Sequence, residues 1–460
     1  MDNLKLSLWQ YSRPVKSILC TSFFYNFGLC GFLNTLSVFF LRHGGDFSSA
    51  FSLSLSYIGL AAFASIFFGF FIGKQISHRY AVAFGLLLCG FSLLFLAFVP
   101  GNFMFLGIAG LCVGTGIYVT NNNVVFNRQF EHAIERHQGQ QIKYVIINLA
   151  SVFSFITFSV LARSLPANEL FHYAYILLAI SMLVGFCGFV FNYQRYIKVA
   201  EKQKAHFGVF HFAVMGVIAL IFLLIKHYLW VACLAIGLSI FSIVYILRQY
   251  FRLKDSGYLL VLTLLLFAGV NFWVGIVIYQ IVVPVLAAAN HSVHLVPTTI
   301  LLFNPIVVVL FGYVLVWFYK KYQPSPMYKL QFGLLVNLLS FVSLALALKF
   351  FRDADFLIFL LIVNVSLVAI TECLIGTTMS VYINQFTHSS HDAILMGILR
   401  AMRGATCVFA FLFFAKLTSG VNLASNAWPV GLELGGLIVV SMLGLFLALR
   451  FLIGRCRSCK

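Results

Sequence analysis

The chain has 460 residues, of which 62% are hydrophobic and only 9% are charged, and its formal net charge is +18. This composition excludes an ordinary soluble domain and is typical of a polytopic membrane protein. The basic balance does not indicate a nucleic-acid-binding protein, because the Lys and Arg residues are confined to short connections and chain ends between long apolar runs.

Apolar runs of about 20 residues predict membrane-spanning helices. Six precede a basic connector, near 17–41, 49–73, 80–100, 103–127, 143–164 and 170–194. Two more follow the connector near 207–225 and 228–248. The last six are predicted near 257–289, 295–319, 328–350, 356–386, 393–418 and 428–453. The sequence therefore predicts an all-α fold of fourteen spans, arranged six, two, six.

This order predicts an N-terminal bundle over 1–194, a basic connector with a two-helix insertion over 195–254, and a C-terminal bundle with its tail over 255–460. Lys and Arg recur on one side of the predicted spans, so both termini are expected to be cytoplasmic. Two six-helix sets separated by a basic connector are typical of transporters with a substrate site between two bundles.

Catalysis is not predicted, since the sequence has no nucleophile–base constellation, nucleotide motif or paired carboxylate. The ten Cys residues are scattered, mostly within apolar runs, and behave there as small hydrophobic residues. Cys456 and Cys459 form a lone Cys-x-x-Cys in the tail, which is a weak metal or lipid-attachment signal. We expect no cofactor and no metal.

Glu372 is the one acidic residue near the middle of a long apolar segment. An acid at a helix centre costs about 2.5–3.5 kcal/mol on insertion scales, so it usually faces a partner or a water-filled path. The next segment carries Arg400 and Arg403, and a hairpin turning near Ser389 predicts Arg403 at the depth of Glu372 as an ion pair or gate. In the alternative interpretation both arginines extend to the nearer membrane interface.

Polar residues also lie inside the fourth and fifth predicted spans. Tyr144, Asn148 and Ser151 are spaced i, i+4, i+7 and share one helical face, so substrate contact and interhelical hydrogen bonding are equally open. Tyr118 and Asn121 could line a substrate path or cap the end of the fourth helix. A glycine stripe in the same span allows close helix packing and comprises Gly107, Gly110, Gly114 and Gly116.

The seventh and eighth spans carry further candidates. Trp273 and Gln280 share a face at i, i+7. Asn304 precedes Pro305, which frees a backbone carbonyl one turn earlier and predicts either a hinge or a static kink.

Five short motifs follow one another in the order of the predicted helices. They are 114–121, Gly139 with 144–151, 304–305, 324–329 with Gly333, and Glu372 with 396–397. This pattern resembles the proton-dependent oligopeptide transporters of the major facilitator superfamily, in their bacterial form with a two-helix insertion. The resemblance covers nearly the whole chain. It implies a major facilitator fold with fourteen spans, working by rocking of two bundles.

The resemblance implies that Asn148, Asn304 and Glu372 bind the amino end of a substrate, because they match the family residues with that role. The family's carboxylate-binding and proton-coupling groups are replaced. Residues 22–26 read Ser-Phe-Phe-Tyr-Asn in place of the first-helix Glu-x-x-Glu-Arg motif, and Val119 stands in place of the fourth-helix lysine.

We therefore expect a secondary transporter of small peptides or related amine-bearing metabolites in the inner membrane, with altered or lost proton coupling. Its partners would be the substrate, the lipid bilayer and, in a coupled cycle, protons; a monomer without nucleic acid is expected. The ligand either has no free carboxylate in the usual place or uses Arg400 or Arg403. The alternatives are a transporter of another solute, such as a drug, amino acid or sugar, and a non-transporting membrane receptor.

Overall fold

Every element of regular structure that the computed structural model describes is a helix. The residues described are 11–42, 47–71, 76–99, 101–166, 169–196, 207–253, 256–263, 265, 297–322, 324, 326–349, 354–379 and 392–418.

Thirteen α-helices lie within these ranges. The first eight are α1 (Arg13–Arg42), α2 (Phe47–Phe71), α3 (His78–Phe98), α4 (Met104–Asn127), α5 (Ala133–Ser164), α6 (Leu170–Val190), α7 (Phe207–Leu224) and α8 (Tyr228–Leu253). The others are α9 (Ser256–Thr263), α10 (Pro297–Tyr322), α11 (Pro326–Lys349), α12 (Ala354–Thr371) and α13 (Asp392–Thr418). A π-helical turn over Glu372–Gly376 continues α12.

The prediction of an all-helical, polytopic membrane fold is confirmed. Twelve of the fourteen predicted spans coincide with a long helix, from α1 to α8 and from α10 to α13. Within the described ranges, nine helices are long and apolar enough to cross a membrane by length and composition. The span predicted near 257–289 begins with α9 and then leaves the described residues, as does the whole span predicted near 428–453.

The chain divides into two compact units. Unit 1 comprises 1–241 and 388–408, and unit 2 comprises 242–387 and 409–460. The first part of α13 therefore belongs to unit 1. The three-part division predicted from sequence, over 1–194, 195–254 and 255–460, stays a prediction.

Unit 1 is built around α4, and the predicted close packing of its glycine stripe is confirmed. A Cβ added at Gly114 would lie 3.0 Å from the carbonyl oxygen of Gly85 in α3, and one added at Gly110 would lie 2.5 Å from Ser92 Oγ. Gly116 faces α2, where an added Cβ would lie 2.6 Å from Ala64 Cβ. Glycine thus brings the backbones of α3 and α2 against α4.

The insertion helix α7 is attached to unit 1 by aromatic side chains. Phe210 is fully buried, with its ring centroid 5.4 Å from that of Phe84 and 5.9 Å from that of Phe68. The neighbouring His211 Nε2 forms a 3.2 Å hydrogen bond with Tyr80 Oη. The first helix of the hairpin is therefore packed on α2 and α3.

Candidate functional site

The candidate residues of unit 2 meet at the end of α12. Asn304 Nδ2 in α10 donates a 3.4 Å hydrogen bond to Glu372 Oε2. Asn304 is buried, at 3% exposure, whereas Glu372 is partly buried. Pro305 lies inside α10, where its missing N–H leaves the carbonyl of Leu301 without its helical donor. The structure thus joins the predicted acid to the predicted amide beside a proline in a helix interior.

Glu372 is also the first residue of the π-helical turn, whereas the sequence predicts an uninterrupted helix over 356–386. Such turns are frequent at functional sites. The extra residue interrupts the regular α-helical hydrogen bonding of the segment. Gly333 in α11 makes room for this wider turn. A Cβ added at Gly333 would lie 2.6 Å from Ile375 Cγ1 and 3.1 Å from Leu374 Cβ.

In unit 1, the polar side chains of α5 donate hydrogen bonds mainly to backbone carbonyls of the same helix. Asn148 Nδ2 donates to the carbonyl oxygen of Tyr144 at 3.0 Å, and Ser151 Oγ donates to that of Ile147 at 3.2 Å. Ser151 Oγ also lies 3.0 Å from Cys30 Sγ in α1. Asn148 is buried and Tyr144 is partly buried. The side-chain oxygen of Asn148 accepts no hydrogen bond from the described residues, and a role in binding an amine stays a prediction.

The candidates of α4 point to different neighbours. The Tyr118 ring packs on Tyr25 of α1, with centroids 3.9 Å apart. Asn121 is fully buried, donates to the carbonyl oxygen of Ile117 at 2.7 Å, and contacts His78 Nδ1 through Oδ1 at 2.7 Å. Asn121 therefore connects α4 to the start of α3, while Tyr118 faces α1.

The two arginines of α13 differ in their surroundings. Arg403 is exposed, whereas Arg400 is partly buried and interacts electrostatically with the hydroxyls of Tyr25 and Tyr57. The ion pair predicted between Arg403 and Glu372 stays a prediction. Trp273 and Gln280, the candidates of the seventh predicted span, lie outside the described residues.

Sequence reasoning missed a buried cation in unit 1. Lys143 is 3% exposed, donates to Asn123 Oδ1 at 2.8 Å, and lies 4.7 Å from the centroid of the Phe126 ring. Its position at the start of the predicted fifth span favours a cytoplasmic, solvated residue. In the structure α5 begins ten residues earlier, at Ala133, so Lys143 lies within the packed helix. In the part of the chain that the structure describes, no group of three or more His, Cys, Asp or Glu could hold a metal ion.

Comparison with curated proteins finds dipeptide and tripeptide permeases, while no family model matches the chain. The chain is 25% identical over 194 residues to dipeptide and tripeptide permease B of Aliivibrio fischeri, covering 40% of this chain and 37% of that protein. It is 23% identical over 268 residues to dipeptide and tripeptide permease A of Escherichia coli, covering 56% and 52%. The chain thus matches about half, or less, of the length of these relatives.

Solved structures of peptide transporters match almost the whole chain. A bacterial homologue of the human drug peptide transporters PepT1 and PepT2 has a TM-score of 0.76 at 16% identity, covering 96% of this chain and 99% of that one. A POT family transporter in complex with 5-aminolevulinic acid has a TM-score of 0.76 at 18% identity, covering 96% and 97%. The chain therefore has the fold of these solved peptide transporters, which confirms the predicted all-helical fold class.

Proposed function

We propose that this protein is a secondary transporter of short peptides or related amine-bearing solutes, working by alternating access of two helical bundles. The POT fold supports the mechanism, and the permeases among the relatives support the substrate class. The proposed location is a bacterial inner membrane, with both termini cytoplasmic because of the positive charge on that side of the predicted spans.

The contact between Asn304 and Glu372 carries the proposal. The Asn304 amide donates to the carboxylate, which orients the Glu372 side chain. The amide oxygen of Asn304 accepts no hydrogen bond from the described residues, so a substrate ammonium could bind it together with the carboxylate. An acid and an amide held in this way inside a membrane fold are suited to recognising an amine.

Proton coupling would depend on the same acid. Among the described acidic residues, Glu372 is the one with more than a turn of continuous helix on both sides, α12 before it and the π turn from it onward. In α1, the position of a family acid is taken by Ser22, whose Oγ accepts a 3.1 Å hydrogen bond from Asn122. Asn26 Nδ2 donates to the carbonyl oxygen of Ser22 at 2.7 Å. These contacts are neutral, so α1 offers no carboxyl group to a proton there.

The decisive experiment measures thermal stabilisation of the purified protein by di- and tripeptides, because a ligand that binds the folded state raises stability by mass action. We expect peptides with a free amino terminus to stabilise the protein and their N-acetylated forms to have little effect. Glu372→Gln should weaken peptide binding at least 30-fold, on the order of 2 kcal/mol, because it removes one partner of a buried charge pair.

Asp355→Asn is the matched control. It also changes a carboxylate to an amide on α12, but Asp355 is exposed in the first turn of that helix. Its peptide affinity should equal that of the wild type. Unchanged peptide affinity in Glu372→Gln would contradict the amine site, and stabilisation by another solute class alone would favour the alternative transporter. A protein that binds no solute would favour the receptor.

A proton gradient across proteoliposomes tests the coupling. We expect an inward gradient to accelerate peptide uptake by the wild type and by Asp355→Asn, and to have no effect on residual uptake by Glu372→Gln. If wild-type uptake has the same rate with and without the gradient, the protein is a facilitated exchanger, and Glu372 serves substrate binding alone.

A further inference from the structure

The first half of α13 lies unusually close to α2 within unit 1. A Cβ added at Gly397 would lie 2.7 Å from the carbonyl oxygen of Ser65, and one added at Gly404 would meet the Cβ of Ala62. The two glycines are seven residues apart, so they share one helical face. Arg400 lies three residues after the first glycine and four before the second. The α2-facing side of α13 therefore includes Arg400.

Arg400 has no acidic partner among the described residues. The groups that act on its guanidinium are the hydroxyls of Tyr25 and Tyr57 and the neighbouring Arg403. Tyr57 already has a partner, because its hydroxyl lies 3.1 Å from Thr115 Oγ1. A cation held inside a membrane fold is costly without an anion, and such residues usually pair or face a substrate path.

Two adjoining phenol groups also lack a well-placed hydrogen-bond acceptor, and one of them, Tyr25, lies beside Arg400. Tyr25 and Tyr118 are each 1% exposed, and their rings lie against each other. Neither hydroxyl has a well-placed acceptor among the described residues: the Tyr25 hydroxyl lies beside the Arg400 guanidinium and Thr115, and the Tyr118 hydroxyl lies beside Ser22. A buried hydroxyl without a partner costs about 1–3 kcal/mol, so two adjacent ones indicate an absent acceptor. A carboxylate is the acceptor that would satisfy both phenols and the guanidinium.

We infer that Arg400, with the hydroxyls of Tyr25 and Tyr118, binds a carboxylate group of the transported solute in unit 1. Arg400 would form the planar two-bond pair that guanidinium makes with carboxylate, while the phenols donate to the remaining lone pairs. The inference rests on the proposed function and assigns the carboxylate task to Arg400 rather than to Arg403.

The test compares a dipeptide with its C-terminal amide, which keeps the amino group and loses the carboxylate charge. In Arg400→Gln we expect dipeptide affinity to fall at least tenfold, about the effect of one hydrogen bond to a charged group, and amide affinity to change less than about threefold. Arg195→Gln is the control, because it makes the same substitution at an exposed arginine of unit 1. Its affinities for both ligands should match those of the wild type.

Hydroxyl removal gives a second test that does not depend on Arg400→Gln folding. Tyr25→Phe and Tyr118→Phe should each weaken dipeptide binding about tenfold, by the same hydrogen-bond estimate, and leave amide binding unchanged. The ligand-free melting temperature should stay level or rise, because an unsatisfied buried hydroxyl has gone. A purely structural role predicts the reverse: a lower melting temperature and equal effects on both ligands.

The outcomes distinguish failure of the carboxylate site from failure of the proposed transport function. Equal losses for dipeptide and amide, or no loss for either, would overturn the carboxylate site while leaving peptide transport intact. If the wild type binds no peptide, the proposed function fails, and simple mono- and dicarboxylates become the probes. Stabilisation by them that Arg400→Gln abolishes would still support the anion site, and its absence would overturn it.

Discussion

Gly116→Val is expected to prevent stable folding of unit 1, with a loss of more than about 3 kcal/mol, at the upper end of overpacking costs in a well-packed interior. A Cβ at this position would lie 2.6 Å from Ala64 Cβ and 2.8 Å from both the carbonyl carbon of Ala64 and the nitrogen of Ser65. Two of these atoms belong to the α2 backbone, so no rotamer change can relieve the clash. The yield of monodisperse protein in detergent and its melting temperature measure the effect.

Gly237→Val is the control for that substitution. Gly237 is a glycine in α8, and a Cβ there would meet nothing within 4 Å. The two variants share the change in helix propensity, so any difference between them reports the contact with α2. If Gly116→Val melts within a few degrees of the control, α2 moves away from α4 at low cost, and the close approach is not required for folding.

Lys143→Met is expected to stabilise the protein by about 1–3 kcal/mol, because burying an ammonium without a counter-ion costs several kcal/mol. Lys143 is 3% exposed and has one neutral acceptor, Asn123, among the described residues. Methionine keeps the length of the side chain and its contact with the Phe126 ring while removing the charge. The melting temperature should therefore rise.

The chain offers a closely matched control in Lys226. Its ammonium also donates to one asparagine, Asn102 Oδ1 at 3.0 Å, and lies over one phenylalanine ring, Phe105 at 4.3 Å. Lys226 is exposed, however, so Lys226→Met should shift the melting temperature little. A lower melting temperature for Lys143→Met would mean that the hydrogen bond and the ring contact outweigh the desolvation cost.

The helices could be predicted from sequence because the thickness of the bilayer sets the length of each apolar run. The span predicted near 170–194 corresponds to α6, Leu170–Val190, and the one near 80–100 corresponds to α3, His78–Phe98. The role of the glycine stripe in α4 could also be predicted, because a small residue in an apolar helix has few roles other than close packing. Close packing at Gly110 and Gly114 followed from this argument, whereas the partner helix, α3, is known only from the structure.

Side-chain surroundings were harder to predict, because they depend on which neighbour each helix face meets. Glu372 and Asn304 could be selected as polar groups in apolar runs, and the structure brings them together. The contrast between Arg400 and Arg403 could not be obtained from hydropathy, which places both in one segment. The spacing of Gly397, Arg400 and Gly404 places the three residues on one side of α13. That this side contacts α2 is known only from the structure.

The π turn at Glu372 has a consequence for the register of this segment. A π turn accommodates one residue more than an α-helix of the same length, as if a single insertion had been absorbed without ending the helix. Deleting one residue between Cys373 and Gly376 should restore a regular helix and leave the residues on both sides of the turn facing as they do now, because the wide turn absorbs the extra residue. Thr377, Thr378 and Met379 would then stay buried. Alignments of this segment with relatives that lack the turn should therefore carry a one-residue gap within the turn.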